Sequence, residues 1–352
     1  MIIRYKTNHA GPYHINNSIP CQDSYALCTT EDGCEIAAVA DGLGSAKYSK
    51  TGSQIAVDYA TAYCKKFINK ELTKDTILEV IKNAFIIADA KIIQLSEKEE
   101  NPVGEYDTTL CLAVYIDGNL YYGNAGDSGI LGLATSGEYI QVTMQQRDED
   151  GYVYPLSFGE NYWEFDSCED IISAFLLMTD GIYEQVFPPI MSNEKVPINI
   201  ALAEQLLGYF DIEKEEEEIL ESQLEDFWLN YPSWLLDDDK TTVGILDTSK
   251  TTSRKADEYY LPPDWESLKE KALNRIKIDE KLHAIKDKPA KSWQEGVVES
   301  VKSVAEGVLQ LFKELSKDDS VDETEEKLSM PLIVKENDSN LTEEVIKVDI
   351  RI

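Results

Sequence analysis

The chain has 352 residues, is 43% hydrophobic and carries a formal net charge of −33, so it holds enough apolar material for a real core and is not a disordered protein. That charge argues against a nucleic-acid backbone or an anionic membrane as partner, because both repel such a surface. The first residues form no signal-like apolar stretch, no run reaches the roughly 18–20 residues that span a bilayer, and the expected location is the cytoplasm.

In chain order, residues 35–40 are too short and too continuously apolar for a surface helix and predict a buried strand that runs straight into Asp41-Gly42. Residues 52–69 carry Ile55, Ala56, Tyr59, Ala60, Tyr63 and Phe67 at helical spacing, and residues 73–95 repeat the pattern with Ile77, Val80, Ile81, Ala84, Ile87 and Ala88. Strands return at 108–116 and 120–124, joined by the hairpin signal Asp117-Gly118-Asn119, and a run at 128–134 reads as the next strand of the same meander. Strands this close together pair antiparallel, which predicts an α+β fold of helices on antiparallel sheets. A second apolar run, Ala174 to Thr179, empties into Asp180-Gly181. Helices are expected at 197–209 and 211–229, with the glutamates at 215–218 as a solvated face, and a strand at 241–246 closes the unit.

Composition then changes. The reading is a main domain over 1–247, a linker over 248–263, a helical extension over 264–316 with helices at 264–286 and 293–315, and an acidic, flexible tail over 317–352. The six cysteines form no C-x-x-C pair and only three histidines are present, so buried thiols are expected and a structural zinc site is not.

Asp-Gly occurs five times, so the dipeptide alone is a weak signal. Asp41 differs, because Gly42-Leu43-Gly44-Ser45-Ala46 leads into a helix instead of a returning strand, and its glycines allow close backbone approach to a ligand. Asp23, Asp127 and the run Asp237-Asp238-Asp239 also border predicted strands. Carboxylates held at strand ends are costly unless a hard cation joins them, so the pattern points to a magnesium or manganese enzyme. No G-x-S-x-G, H-E-x-x-H, G-x-x-x-x-G-K-[ST] or calcium-loop pattern is present, which removes support from serine hydrolases, zinc proteases, P-loop proteins and calcium sensors.

Taken in order, Cys21-Gln22-Asp23-Ser24, Val39-Ala40-Asp41-Gly42-Leu43-Gly44-Ser45, Thr108-Thr109-Leu110, Gly123-Asn124-Ala125-Gly126-Asp127-Ser128, Met178-Thr179-Asp180-Gly181 and Asp238-Asp239-Lys240-Thr241 resemble the metal-dependent protein phosphatases of the 2C family, in its bacterial branch. The resemblance covers nearly all of 1–247. It implies a β-sandwich flanked by helices and a serine/threonine phosphoprotein phosphatase with two, or with a weaker third, magnesium or manganese ions, in which a water bridging the ions attacks phosphate. Carried over, Asp41 bridges both ions, the Gly42 carbonyl completes the first site, and Asp180 with Asp238 holds the second. Asp239 is an equally legal register for the last of these. Asp23 acts through metal-bound water and Asp127 helps hold the third ion. The implied partners are a phosphoserine or phosphothreonine protein and a cognate protein kinase. Two departures stand out: the family's histidine after the first Asp-Gly is Leu43 here, and its phosphate-gripping arginine falls at Ser18. His14 is the candidate to fill either role, with Arg4 and Lys47 as further phosphate partners. The alternative function is a catalytically weak binding module that acts through its acidic surface and C-terminal helices.

Overall fold

The computed structural model describes residues 1–208, 217–233, 235–286, 328–332 and 346–350. The chain forms two units, Met1–Lys269 and Glu270–Ile352. The first is built on two five-stranded antiparallel sheets. One sheet has β1 (Ile2–His9), β10 (Lys240–Asp247), β9 (Ile172–Met178), β6 (Gly129–Ala134) and β7 (Tyr139–Gln141) side by side. The other has β2 (Ser24–Thr29), β3 (Glu35–Ala40), β4 (Leu110–Ile116), β5 (Asn119–Ala125) and β8 (Glu164–Ser167).

The continuous apolar character of β3 and β9 follows from burial on both faces. In β3, Ala37 and Val39 join Phe175 and Leu177 of β9 in the layer between the sheets, while Ile36, Ala38 and Ala40 face a helical layer formed by α2 (Ser49–Phe67) and α3 (Lys74–Lys98). Across the molecule, Leu176 and Met178 of β9 pack under α4 (Asp180–Val186), α5 (Ile200–Leu207) and α6 (Glu217–Leu229). The result is the expected sandwich, helices outside and sheets inside.

Helix α2 buries Ala56, Val57, Ala60, Thr61 and Cys64, whereas Tyr59 and Phe67 of the expected face are exposed. Small residues let this helix lie close to the sheet, and the large ring at the neighbouring position is turned outward. The β4–β5 hairpin turns through Asp117 and Gly118 at φ 50° and 105°, the paired positive angles that the Asp-Gly signal predicts. The expected meander stops there. Strand β6 leaves the sheet of β4 and β5 and pairs with β9 and β7 in the other sheet, after a break at Gly126, φ 101°. Asp127 therefore sits at the crossing between layers.

Residues 248–263, expected as a linker, pack on the first unit. Tyr260 is buried in its core, the Tyr139 amide donates to the Tyr259 hydroxyl (3.0 Å), and the Ser253 amide donates to the Thr135 carbonyl (2.9 Å). A polar composition hid two aromatic anchors. Helix α7 (Trp265–Lys286) matches the helix expected at 264–286. In the second unit the strands β11 (Leu328–Leu332) and β12 (Ile346–Ile350) pair antiparallel within the segment expected as a flexible tail, and the helix expected at 293–315 and the acidic run 317–326 lie outside the described residues. All six cysteines are free, and no helix among the described residues is long and apolar enough to cross a membrane.

Candidate metal centre and active site

Each acid of the site is placed by the end of a strand. Asp41 follows β3 and is clamped to the start of β4: its amide donates to Thr109 Oγ1 (2.9 Å), and its carbonyl accepts from the Thr109 amide and from Thr108 Oγ1 (both 2.8 Å). Asp180 opens α4 directly after β9, where the Thr179 amide donates to the Thr241 carbonyl (3.1 Å) and ties the turn to β10. Asp127 follows β5 at the crossing between the sheets. One carboxylate oxygen from each of Asp41, Asp127 and Asp180 lies within 4.8 Å of the others. These three share a cleft of about 440 Å³ with Gly42, Leu43, His14 and Asp238.

Glycines set the close approaches around that cleft. A Cβ on Gly42 would stand 2.7 Å from the Ser49 carbonyl carbon and 2.8 Å from the Gln22 carbonyl oxygen, so no side chain fits there. A Cβ on Gly181 would stand 2.6 Å from the Asp239 carbonyl oxygen, and one on Gly11 would overlap the backbone of Asp237 and Asp238. These two glycines let the acidic run pass between α1 (Pro12–Asn17) and the start of α4.

The run splits its labour. Asp239 is buried and both its oxygens are engaged: Oδ1 accepts from the Gly11 amide and pairs with His14 Nδ1 (both 2.7 Å), and Oδ2 accepts from the Gln22 amide (2.6 Å). Asp238 lines the cleft with an exposed side chain. Asp23 is buried behind the cleft, its Oδ2 accepting from Thr179 Oγ1 (2.7 Å).

Removal from water pushes Asp41 and Asp180 well above the usual carboxylate range, and the neighbouring carboxylates push further, Asp180 on Asp41 and Asp127 on Asp180. Asp23 is pushed up to about 7 by burial and by Asp239, against the Thr179 hydrogen bond. A divalent cation reverses that logic. The donor set fits one: hard oxygen ligands converge, and the buried Asp127 Oδ1 has no hydrogen-bond partner.

The departures are also placed. Ser18 is exposed in a left-handed turn (φ 56°) at the end of α1. Arg4 pairs with Glu35 and Thr29 on the sheets, and Lys47 lies over the Tyr48 ring at 4.9 Å. Neither borders the cleft. The basic side chain that does is Arg147, which sequence reasoning missed. It contacts Asp127, Asp180 and Glu184, and it lies in a loop with no periodicity or motif to mark it.

A family model described as protein phosphatase 2C matches residues 10–228. The chain belongs to the protein phosphatase 2C family. As a member it is a serine/threonine protein phosphatase whose cofactor is magnesium or manganese, and the acid cluster is suited to either. Among solved structures, a bacterial serine phosphatase aligns with a TM-score of 0.50 at 11% identity, covering 73% of this chain and 100% of that chain, and shares the phosphatase 2C fold. The catalytic domain of the serine threonine protein phosphatase PstP, in complex with two manganese ions, aligns at 0.48 and 18% identity, covering 70% and 99% of the two chains. The serine/threonine phosphatase Stp1 from Staphylococcus aureus aligns at 0.49 and 12%, covering 70% and 95%. No curated protein matches the chain in sequence.

Proposed function

We propose that this phosphatase hydrolyses phosphoserine and phosphothreonine in proteins with a water held between two divalent cations. Asp41 would hold both ions, with the Gly42 carbonyl beside it at the first and Asp180 with Asp238 at the second. The observation that carries this reading is the convergence of Asp41, Asp127 and Asp180 oxygens within 4.8 Å at one end of the sandwich. When bound, a pair of such ions lowers the pKa of the water between them and stabilises both attacking and leaving oxygens of an in-line displacement.

The chain's own residues hold and orient. Thr108 and Thr109 fix the backbone of Asp41, so its carboxylate loses little freedom on binding an ion. Asp238 takes the ligand role in preference to Asp239, because both Asp239 oxygens are engaged by Gly11, Gln22 and His14. Asp239 in turn orients the His14 ring at the cleft wall, which makes His14 the candidate to protonate the leaving oxygen. Asp23, held by Thr179, acts from behind through water. The substrate side is a phosphoprotein produced by a cognate kinase in the cytoplasm, and the net charge of −33 disfavours nucleic acid and anionic membranes as partners.

The test is hydrolysis of a phosphothreonine peptide by the purified chain with manganese, magnesium or chelator, beside Asp41→Asn and Asp180→Asn. Expected is metal-dependent turnover that falls in both variants by more than the roughly 10–100-fold typical of outer-shell partners. Turnover in chelator, or wild-type rates in either variant, would overturn the assignment.

A further inference from the structure

Arg147 makes a set of contacts that the phosphatase reading leaves unused. Its Nε (2.9 Å) and Nη2 (2.7 Å) both meet Asp127 Oδ2, and Nη2 also lies 3.3 Å from Asp180 Oδ2 and 3.2 Å from Glu184 Oε1. Asp127 is fully buried, so this is a charge pair shielded on one side from water. The guanidinium is positioned and not merely attracted. Its loop closes on itself: the Tyr154 amide donates to the Gln146 carbonyl (3.1 Å), the Asp148 amide to the Tyr152 carbonyl (2.9 Å), and Asp148 Oδ1 accepts from the Asp150 and Tyr152 amides. Gln146 Oε1 accepts from the Gly126 amide (3.0 Å), which ties the same loop to the turn that presents Asp127.

An arginine keeps its charge at any working pH and spreads it over a planar fork suited to carboxylates. Here one such charge is shared by three carboxylates at the edge of the ion cleft. Asp127 is the residue that the family resemblance gives to a third, weaker ion. We propose that Arg147 is a built-in cation that takes the place of that third ion on Asp127 Oδ2, so the loaded protein holds two divalent ions, the Oδ2–Glu184 edge is closed to a third, and only Asp127 Oδ1, which has no hydrogen-bond partner, stays open to the two. The proposal rests on the metal-centre reading above and adds a stoichiometry to it.

The test is manganese titration of the full chain by calorimetry and native mass spectrometry, beside Arg147→Met and Arg147→Lys. Expected are two ions in the wild type, a third in Arg147→Met or a tenfold or greater tightening there, and two again in Arg147→Lys, which keeps the charge. Three ions in the wild type would overturn the proposal without any variant, so it stays testable if Arg147→Met folds poorly. Unchanged manganese binding in Arg147→Met together with a raised KM would overturn it in favour of a phosphate-gripping arginine. No manganese binding by any of the proteins would overturn both this proposal and the metal centre, which separates the two failures.

Discussion

Two neighbouring aspartates of like chemistry have different jobs here because of what their oxygens touch. Asp239 is consumed by two backbone amides and an imidazole, whereas Asp238 faces the cleft. Asp239→Ala should therefore cost stability, about 3 kcal/mol or more, since it orphans the buried Gly11 amide and His14 ring and the half-buried Gln22 amide. Asp238→Asn should leave the thermal midpoint of the chelated protein near wild type and weaken manganese binding. Unfolding curves in chelator and metal titration of both variants check the split. The buried acids also fix a pH dependence. Asp23 rises from an ordinary value near 3.8 to about 7 in the folded chain, and Asp41 and Asp180 rise too. The folded state thus holds protons that the unfolded state has released, and stability falls with rising pH over about pH 4–7. Thermal unfolding in chelator should show that fall, and saturating magnesium should remove it.

Among the elements, the buried strands and their carboxylate ends were the legible part. β3 and β9 are apolar on both faces and each ends in Asp-Gly, so two acids of the site and the hairpin between β4 and β5 follow from local pattern. The crossing of β6 to the other sheet does not, because residues 128–134 have the same apolar character in either sheet and the deciding feature is the backbone at Gly126. The sequence alone does not divide Asp238 from Asp239 for a similar reason: both registers satisfy the motif, and what distinguishes them is the distant Gly11, His14 and Gln22, which all engage Asp239. Arg147 was illegible because its partners are 20, 33 and 37 residues away. Gly181 shows how tightly these elements meet. Gly181→Ala would press its methyl against the Asp239 carbonyl, so it should cost about 1–3 kcal/mol and lower manganese affinity by displacing Asp238. Calorimetric titration, set beside a thermal melt, measures both effects.

For the whole molecule, the first unit ends at Lys269 and not at the last strand. Tyr260 in the core and Tyr259 stacked on Tyr139 (6.4 Å between centroids) belong to the segment after β10. We propose Met1–Lys269 as the catalytic domain. A fragment ending at Asp247 should be less stable than one ending at Lys269 by about 3 kcal/mol, the usual cost of removing a buried aromatic. Comparing the two fragments by chemical denaturation settles where the domain closes.

The acids that border the cleft come from both layers of the sandwich: Asp41 follows β3 of one sheet, Asp180 and Asp238 adjoin β9 and β10 of the other, and Asp127 lies in the turn between β5 and β6 that joins the two. Sliding of one sheet over the other would part those acids. The ions proposed for the cleft would act as a rivet across that seam, making two layers shear as one plate. By reciprocity, the packing of Phe175 in the layer between the sheets would then set how firmly such ions are gripped.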